Sequence, residues 1–261
     1  MDDAEIAELI ERFATSAQLA EQAGFNGVQI HAAHGYLLSQ FLSPLTNRRT
    51  DQWGGSLENR ARLLCEVIRA VRARVSPGFA VAVKINSADF QRGGFDSADA
   101  LATLKLLNEL PVDLLELSGG SYESPAMQGR TADGRTLARE AYFLEFASQL
   151  AREARMPLMT TGGIRRRAVA EQVIAQGVGI AGMATALTIV PDLPSRWRAG
   201  EDTEANLPPV NWSDKTLSAL ATMSVIKRQL RRLGARRNSK PDASPLLSLI
   251  LDRLRIKRLT G

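Results

Sequence analysis

The sequence holds 261 residues, 44% hydrophobic and 23% charged, with 20 glycines and 11 prolines. That composition fits a soluble globular chain and excludes collagen-like, disordered and disulfide-built classes. The net charge of +5 is uneven: residues 221–261 carry 11 Lys and Arg against 2 Asp and Glu, leaving −4 for the 220 residues before them.

A single cysteine, Cys65, excludes an intrachain disulfide and zinc sites of the Cys-x-x-Cys type, which suits a reducing, cytoplasmic setting. No apolar run approaches about 18 residues, so no membrane span is expected. Asp2, Asp3 and Glu5 stand where a signal peptide needs Lys or Arg.

From Ala4, the positions Ile6, Leu9, Ile10, Phe13, Ala17 and Ala20 follow helical spacing, and Gly24 supplies a left-handed stop. A short β-branched segment follows at 27–30. Helix then strand recurs: helix 57–75 before strand 80–85, helix 98–110 before strand 112–117, helix 139–154 before strand 157–161, and helix 168–176 before strand 178–182. Five short apolar strands alternating with helices predict a parallel sheet covered on both faces. The strand-to-helix connections at 31–56 and 119–136 are long and the reverse connections short, so ligand chemistry is expected at the C-terminal strand ends.

Beyond the polar stretch 198–209 the pattern changes to two helices. The first is capped near Ser213, carries Leu220, Met223, Ile226, Leu230 and Leu233, and stops at Gly234. The second opens with Ser244-Pro245 and aligns Leu247, Ile250, Leu251 and Leu254 on one face. The expected division is therefore residues 1–205 as an α/β domain and 206–261 as a basic helical extension.

Both histidines, His31 and His34, lie with Tyr36 directly after the first predicted strand. Two imidazoles and a phenol there can converge on one small polar atom, with a hydroxyl near a proton-transfer position. Two other readings stand beside this one. The histidines can be hydrogen-bonded within the loop. They can also ligate a metal, although their spacing is one shorter than the zincin pattern and the chain has no third histidine.

The residues that follow are more specific. His31-Ala32-Ala33-His34-Gly35-Tyr36-Leu37, Phe41-Leu42-Ser43-Pro44 and Asn47-Arg48-Arg49-Thr50-Asp51-Gln52-Trp53-Gly54-Gly55-Ser56-Leu57-Glu58-Asn59-Arg60 resemble the old yellow enzyme family of NADH:flavin oxidoreductases, the FMN-dependent ene-reductases. The likeness continues through 84–90, 161–163 and 191–194.

The resemblance implies an incomplete TIM (β/α)8 barrel, with strands four to eight present and the first three absent, followed by a helical extension; whether such a part is active or an inactive fragment is left open by the sequence. It implies FMN as cofactor, NAD(P)H as reductant and a small-molecule activated alkene, an α,β-unsaturated carbonyl or nitro compound, as substrate. No nucleic-acid partner is expected, and a homo-oligomer is compatible with it.

By the same resemblance, His31 and His34 bind the carbonyl or nitro oxygen, Tyr36 donates the proton, and Lys84 lies beside flavin N1 and O2. Read from the residues alone, Lys84 is a strand terminus snorkelling outward. Gly162 and Gly163 match a backbone phosphate cradle, and otherwise make a tight turn. Ala184-Thr185 stand where the family usually has Gly-Arg, which removes a bidentate guanidinium contact. Asn47, Arg49, Asp51, Asn59 and Arg60 read as partners that fix the loop, and Trp53 as core or site wall.

The basic extension supports an alternative from another class, a non-catalytic module binding nucleic acid or an anionic membrane. Otherwise its leucines pack on the barrel and leave a solvated basic face.

Overall fold

The structure, a computed structural model, describes residues 1–120 and 140–260. Contacts divide the chain into two compact units, Met1–Gly162 with Glu171–Gly182, and Gly163–Ala170 with Met183–Gly261.

The first unit opens with α1 (Asp3–Gln22), started by a capping box in which Asp2 and Glu5 satisfy each other's backbone N–H. Five strands follow: β1 (Gly27–Ala32), β2 (Ala80–Asn86), β3 (Leu114–Ser118), β4 (Leu158–Thr160) and β5 (Ile180–Ala181). They form one parallel sheet in chain order, β1-β2-β3-β4-β5. Between them run α2 (Leu37–Leu42), α3 (Leu57–Arg74), α4 (Ser97–Leu107), α5 (Leu144–Ala151) and α6 (Arg167–Ala175). One strand face carries Ile30, Val81, Val83, Ile85, Leu115 and Leu117, all buried.

β1 and β5 are the outer strands among the described residues. Beside β1 and α1 lies an apolar groove of about 470 Å³, lined by Leu9, Phe13, Ala17, Val28, Ile30 and Val71 among others.

Three short helices escape the periodicity because each is only five or six residues long: α2, α7 (Thr185–Ile189) and α8 (Leu193–Arg198). β5 is two residues rather than five, bounded by glycines; a Cβ on Gly182 would lie 2.4 Å from Thr161 Cγ2. α5 begins at Leu144; Arg139, where that helix was expected to start, lies outside the described residues, as does most of the connection expected at 119–136.

In the second unit α7 and α8 build a core of Ala186, Ile189, Leu193, Trp197 and Ala205. Residues 183–205 therefore group with the helical extension, and the contacts do not divide at 205/206. The extension is α9 (Lys215–Gly234), capped by Asp214 rather than Ser213, and α10 (Pro245–Thr260), whose Leu247 N–H reaches Ser244 Oγ at 3.3 Å.

In the α9 stripe Ile226 and Leu233 are half-buried. Leu220, Met223, Leu230, Leu247, Ile250, Leu251 and Leu254 are exposed, whereas Ala221, Ser224, Val225, Gln229, Ser248 and Asp252 are buried. The helix pair closes through small and polar side chains. Asp252 takes Lys227 at 3.2 Å and also Arg231, while Arg228 bonds Ser248 Oγ at 3.2 Å.

Candidate active site

The second strand face of the first unit is polar. Register sets His31 beside Lys84, Lys84 beside Glu116, and Asn86 beside Ser118. In-register residues of parallel strands emerge on the same face, so these side chains form rows across β1, β2 and β3. Gln29 and His31, Lys84 and Asn86, and Glu116 and Ser118 alternate along their strands with the buried apolar residues.

Lys84 does not run outward. Its Nζ lies 2.8 Å from Glu116 Oε1, and Gln29 Nε2 donates to the other carboxylate oxygen at 2.9 Å. The Glu116 side chain is only 5% exposed. A carboxylate that deep needs its cation, because removing one partner of a buried pair costs about 3 to 5 kcal/mol. That cost outweighs the gain from hydrating the ammonium at the surface.

The histidines sit where β1 turns into α2. His34 and Gly35 both adopt left-handed backbone, φ 63° and 76°. The turn is held by Asn86, whose Oδ1 accepts the His34 N–H at 3.1 Å while its Nδ2 donates to Asp89 Oδ1 and the Gly120 carbonyl, each at 3.0 Å. The His31 ring centroid lies 5.1 Å from that of His34 and 5.2 Å from that of Tyr36. His34 Nε2 and Ser118 Oγ are 2.7 Å apart. Tyr36 is half exposed.

Burial, then the Lys84 charge, lowers both imidazole pKa values, with Glu116 opposing at His31; His34 falls to about 4. Both rings are therefore neutral at pH 7, each with one N–H to donate. Two neutral donors, a phenol and an ammonium at one strand end can hold a polar oxygen and stabilise negative charge that develops on it.

The segment 43–60 holds this turn from behind. Asn47 is buried and its Nδ2 donates to the Phe41 and Trp53 carbonyls, each at 2.7 Å. Arg49 pairs with Asp51, and Asn59 Oδ1 takes Arg62 at 2.9 Å. The Arg60 guanidinium, nearly buried, bridges the Leu42 carbonyl and Asp99, 3.1 Å away. Trp53 is core, 8% exposed, and its indole N–H reaches Asp3 Oδ1 at 2.6 Å.

Gly162 follows β4 with φ 120°, and a Cβ there would lie 2.7 Å from Tyr142 N, so packing alone already requires glycine. Gly163, φ 70°, belongs to the second unit with Ala184 and Thr185. Ala184 precedes α7, whose start has no side-chain cap, and Thr185 is its first residue. Among the described residues no group of three or more His, Cys, Asp or Glu is arranged to hold a metal ion.

Residues 1–204 match the model of the NADH:flavin oxidoreductase / NADH oxidase family. The chain belongs to that family. It is 38% identical over 231 residues to the NADH-dependent flavin oxidoreductase iliE of Neonectria sp. (strain DH2), covering 85% of this chain and 30% of the relative. Among solved structures, 2-naphthoyl-CoA reductase in complex with 2-naphthoyl-CoA superposes with TM-score 0.68 at 31% identity, covering 77% of this chain and 30% of that one. The old yellow enzyme homologue from Zymomonas mobilis superposes with TM-score 0.62 at 27% identity, covering 78% of this chain and 55% of that one.

The chain thus spans well under two thirds of the length of these relatives, and its five-stranded parallel sheet is part of a TIM barrel. The NADH:flavin oxidoreductases are oxidoreductases that use FMN and a nicotinamide reductant. Lys84, His31 and His34 put a cation and neutral N–H donors on one strand face, the donor chemistry that an anionic reduced flavin and a polar ligand would need. Ala184-Thr185 lacks the guanidinium that would grip a phosphate.

Sequence reasoning passed over Gln29, Asn86, Glu116 and Ser118. Their signal was present: each is a polar residue in an otherwise apolar strand, two positions from another polar residue.

Proposed function

We propose that this chain is the part of an FMN-dependent ene-reductase that binds and protonates an activated alkene, using NADH or NADPH as the source of electrons. The observation that carries this reading is the convergence of His34 and Tyr36 on His31, whose ring centroid lies about 5 Å from each of theirs at the C-terminal end of β1, where His31 is in register with Lys84. Bound FMN would supply hydride to the alkene β-carbon.

His31 and His34, both neutral, donate hydrogen bonds to the carbonyl or nitro oxygen, where negative charge collects as the β-carbon is reduced. Ser118 Oγ engages His34 Nε2 and leaves Nδ1 to meet the ligand; for Nδ1 to donate there, the Ser118 hydroxyl must donate to Nε2. Preorganised donors of this kind contribute about 3 kcal/mol each to the transition state. Tyr36 Oη then delivers a proton to the α-carbon, a general-acid step worth about 10² to 10⁴ in rate. Lys84, held by Glu116, would offset negative charge on the reduced flavin. In the second unit Gly163, Ala184 and Thr185 would offer the phosphate backbone N–H groups and the Thr185 hydroxyl, while Gly162, in the first unit, matches the family's glycine by sequence.

The test is reconstitution of the chain with FMN, desalting, and measurement of NADH or NADPH consumption with and without an enone. The expected result is retained flavin and enone-dependent turnover, which Tyr36→Phe lowers at least about 100-fold without loosening the flavin. Loss of the flavin on desalting, or a Tyr36→Phe enzyme as fast as wild type, refutes the proposal.

A further inference from the structure

The outward stripe of α10 takes no part in this chemistry. Leu247, Ile250, Leu251 and Leu254 follow i, i+3, i+4, i+7 spacing and so form one continuous band, each leaving 44–51% of its surface exposed. Ser248 and Asp252, polar and buried, meet α9, while Leu246, Ile256 and Leu259 add exposed apolar surface outside the band. A band of four exposed apolar side chains on a helix that buries Ser248 and Asp252 is the kind of surface that marks an interaction site.

The charges around the stripe indicate which partner. Arg253 and Lys257 flank it on one side and Arg255 on the other; with Arg258 they have no ion-pair partner among the described residues. Asp252 is shared by Lys227 and Arg231 and neutralises only part of the cluster. Between the two helices a cleft of about 320 Å³ is lined by Arg228, Arg231, Arg255 and Arg258 around Leu251 and Leu254. Converging guanidinium groups over apolar side chains match a surface that presents phosphates above hydrocarbon.

We propose that α10 docks this chain on an anionic phospholipid bilayer, lying in the plane of the interface. Leu247, Ile250, Leu251 and Leu254 enter the boundary between headgroups and acyl chains, the flanking Arg and Lys stay at phosphate level, and the cleft receives one headgroup phosphate. No helix among the described residues is long and apolar enough to cross a membrane. Nucleic acid would use the charges and leave the leucines in water. A second copy docked stripe to stripe about a two-fold axis would bring like-charged flanks together.

Vesicle co-sedimentation with the full chain tests this. The expected result is binding to phosphatidylcholine vesicles containing about one-third phosphatidylglycerol, little binding to pure phosphatidylcholine, and release between about 0.05 M and about 0.5 M salt. Ile250→Asp/Leu254→Asp abolishes binding, and each neutralised arginine in Arg255→Gln/Arg258→Gln weakens it about fivefold. All four positions are exposed, so unchanged far-UV circular dichroism is expected for both variants.

Absence of binding at low salt overturns the proposal, as does equal binding to both vesicle types. Wild-type affinity in the aspartate variant would mean that charge alone binds, as a nucleic-acid site would, and also overturns it. Self-association in the absence of lipid that disappears in the aspartate variant assigns the stripe to a second copy instead. None of these readouts depends on flavin or turnover.

Discussion

Lys84 Nζ on β2 lies 2.8 Å from Glu116 Oε1 on the neighbouring strand, inside the polar face that also carries His31. The pair aims the ammonium along the sheet face and supplies the positive charge felt by both imidazoles. Lys84→Met strands a buried carboxylate and is expected to cost about 3 kcal/mol in urea unfolding, whereas Lys84→Met/Glu116→Leu recovers most of it. Strictly additive costs in that double-mutant cycle would mean the two groups do not interact.

The lowered His34 pKa makes stability depend on pH in a stated direction. His34 takes up a proton near 6.5 when unfolded but only at about 4 when folded. Between those values the unfolded chain binds more protons, so stability falls as pH drops from 6.5 to about 4 and is retained in full above 6.5. Urea midpoints measured across this window give the slope. His34→Asn, which tolerates the left-handed backbone at this position, flattens it; His31 and, toward pH 4, carboxylates with lowered pKa such as Asp113 and Asp252 account for what is left.

Arg60 ties α3 to the end of α2 and the first turn of α4 through the Leu42 carbonyl and Asp99. Arg60→Ala leaves a buried carbonyl and a carboxylate without their donor and is expected to cost about 3 kcal/mol in chemical denaturation. A loss below about 0.5 kcal/mol would place it with ordinary surface ion pairs.

Gly162 and Gly24 separate two reasons for glycine. Both have positive φ, 120° and 89°, but a Cβ on Gly162 meets Tyr142 while one on Gly24 meets nothing within 4 Å. Gly24→Ala is expected to cost about 1 kcal/mol from backbone strain alone, and Gly162→Ala about 3 kcal/mol because overpacking is added. Comparable melting temperatures for the two variants would remove the packing contribution.

Much of the scaffold was legible before the structure. The alternation of apolar strands with amphipathic helices shows five strands of a parallel sheet, because period 2 and period 3.6 are written in consecutive residues, while their order in the sheet is implied only by the family resemblance. The motif residues Asn47, Arg49, Asp51 and Arg60 were legible as loop-holding groups, since their partners lie mostly within the same segment. Short elements such as α7 and α8 were not, because five or six residues contain too little of a period.

The sequence by itself determined the element order, the position of His31, His34 and Tyr36 at a strand's C-terminal end, and the concentration of positive charge in the last forty residues. Only the tertiary structure decided that Lys84 faces Glu116 instead of solvent, that Ser118 meets the His34 ring, and that α9 and α10 close through Ser248 and Asp252 with most of their leucines outward. Periodicity specifies which residues share a face of one element. Which face meets which neighbour depends on register and packing between segments far apart in the chain, where a buried carboxylate such as Glu116 or Asp252 claims the nearest cation and turns the surrounding surface with it.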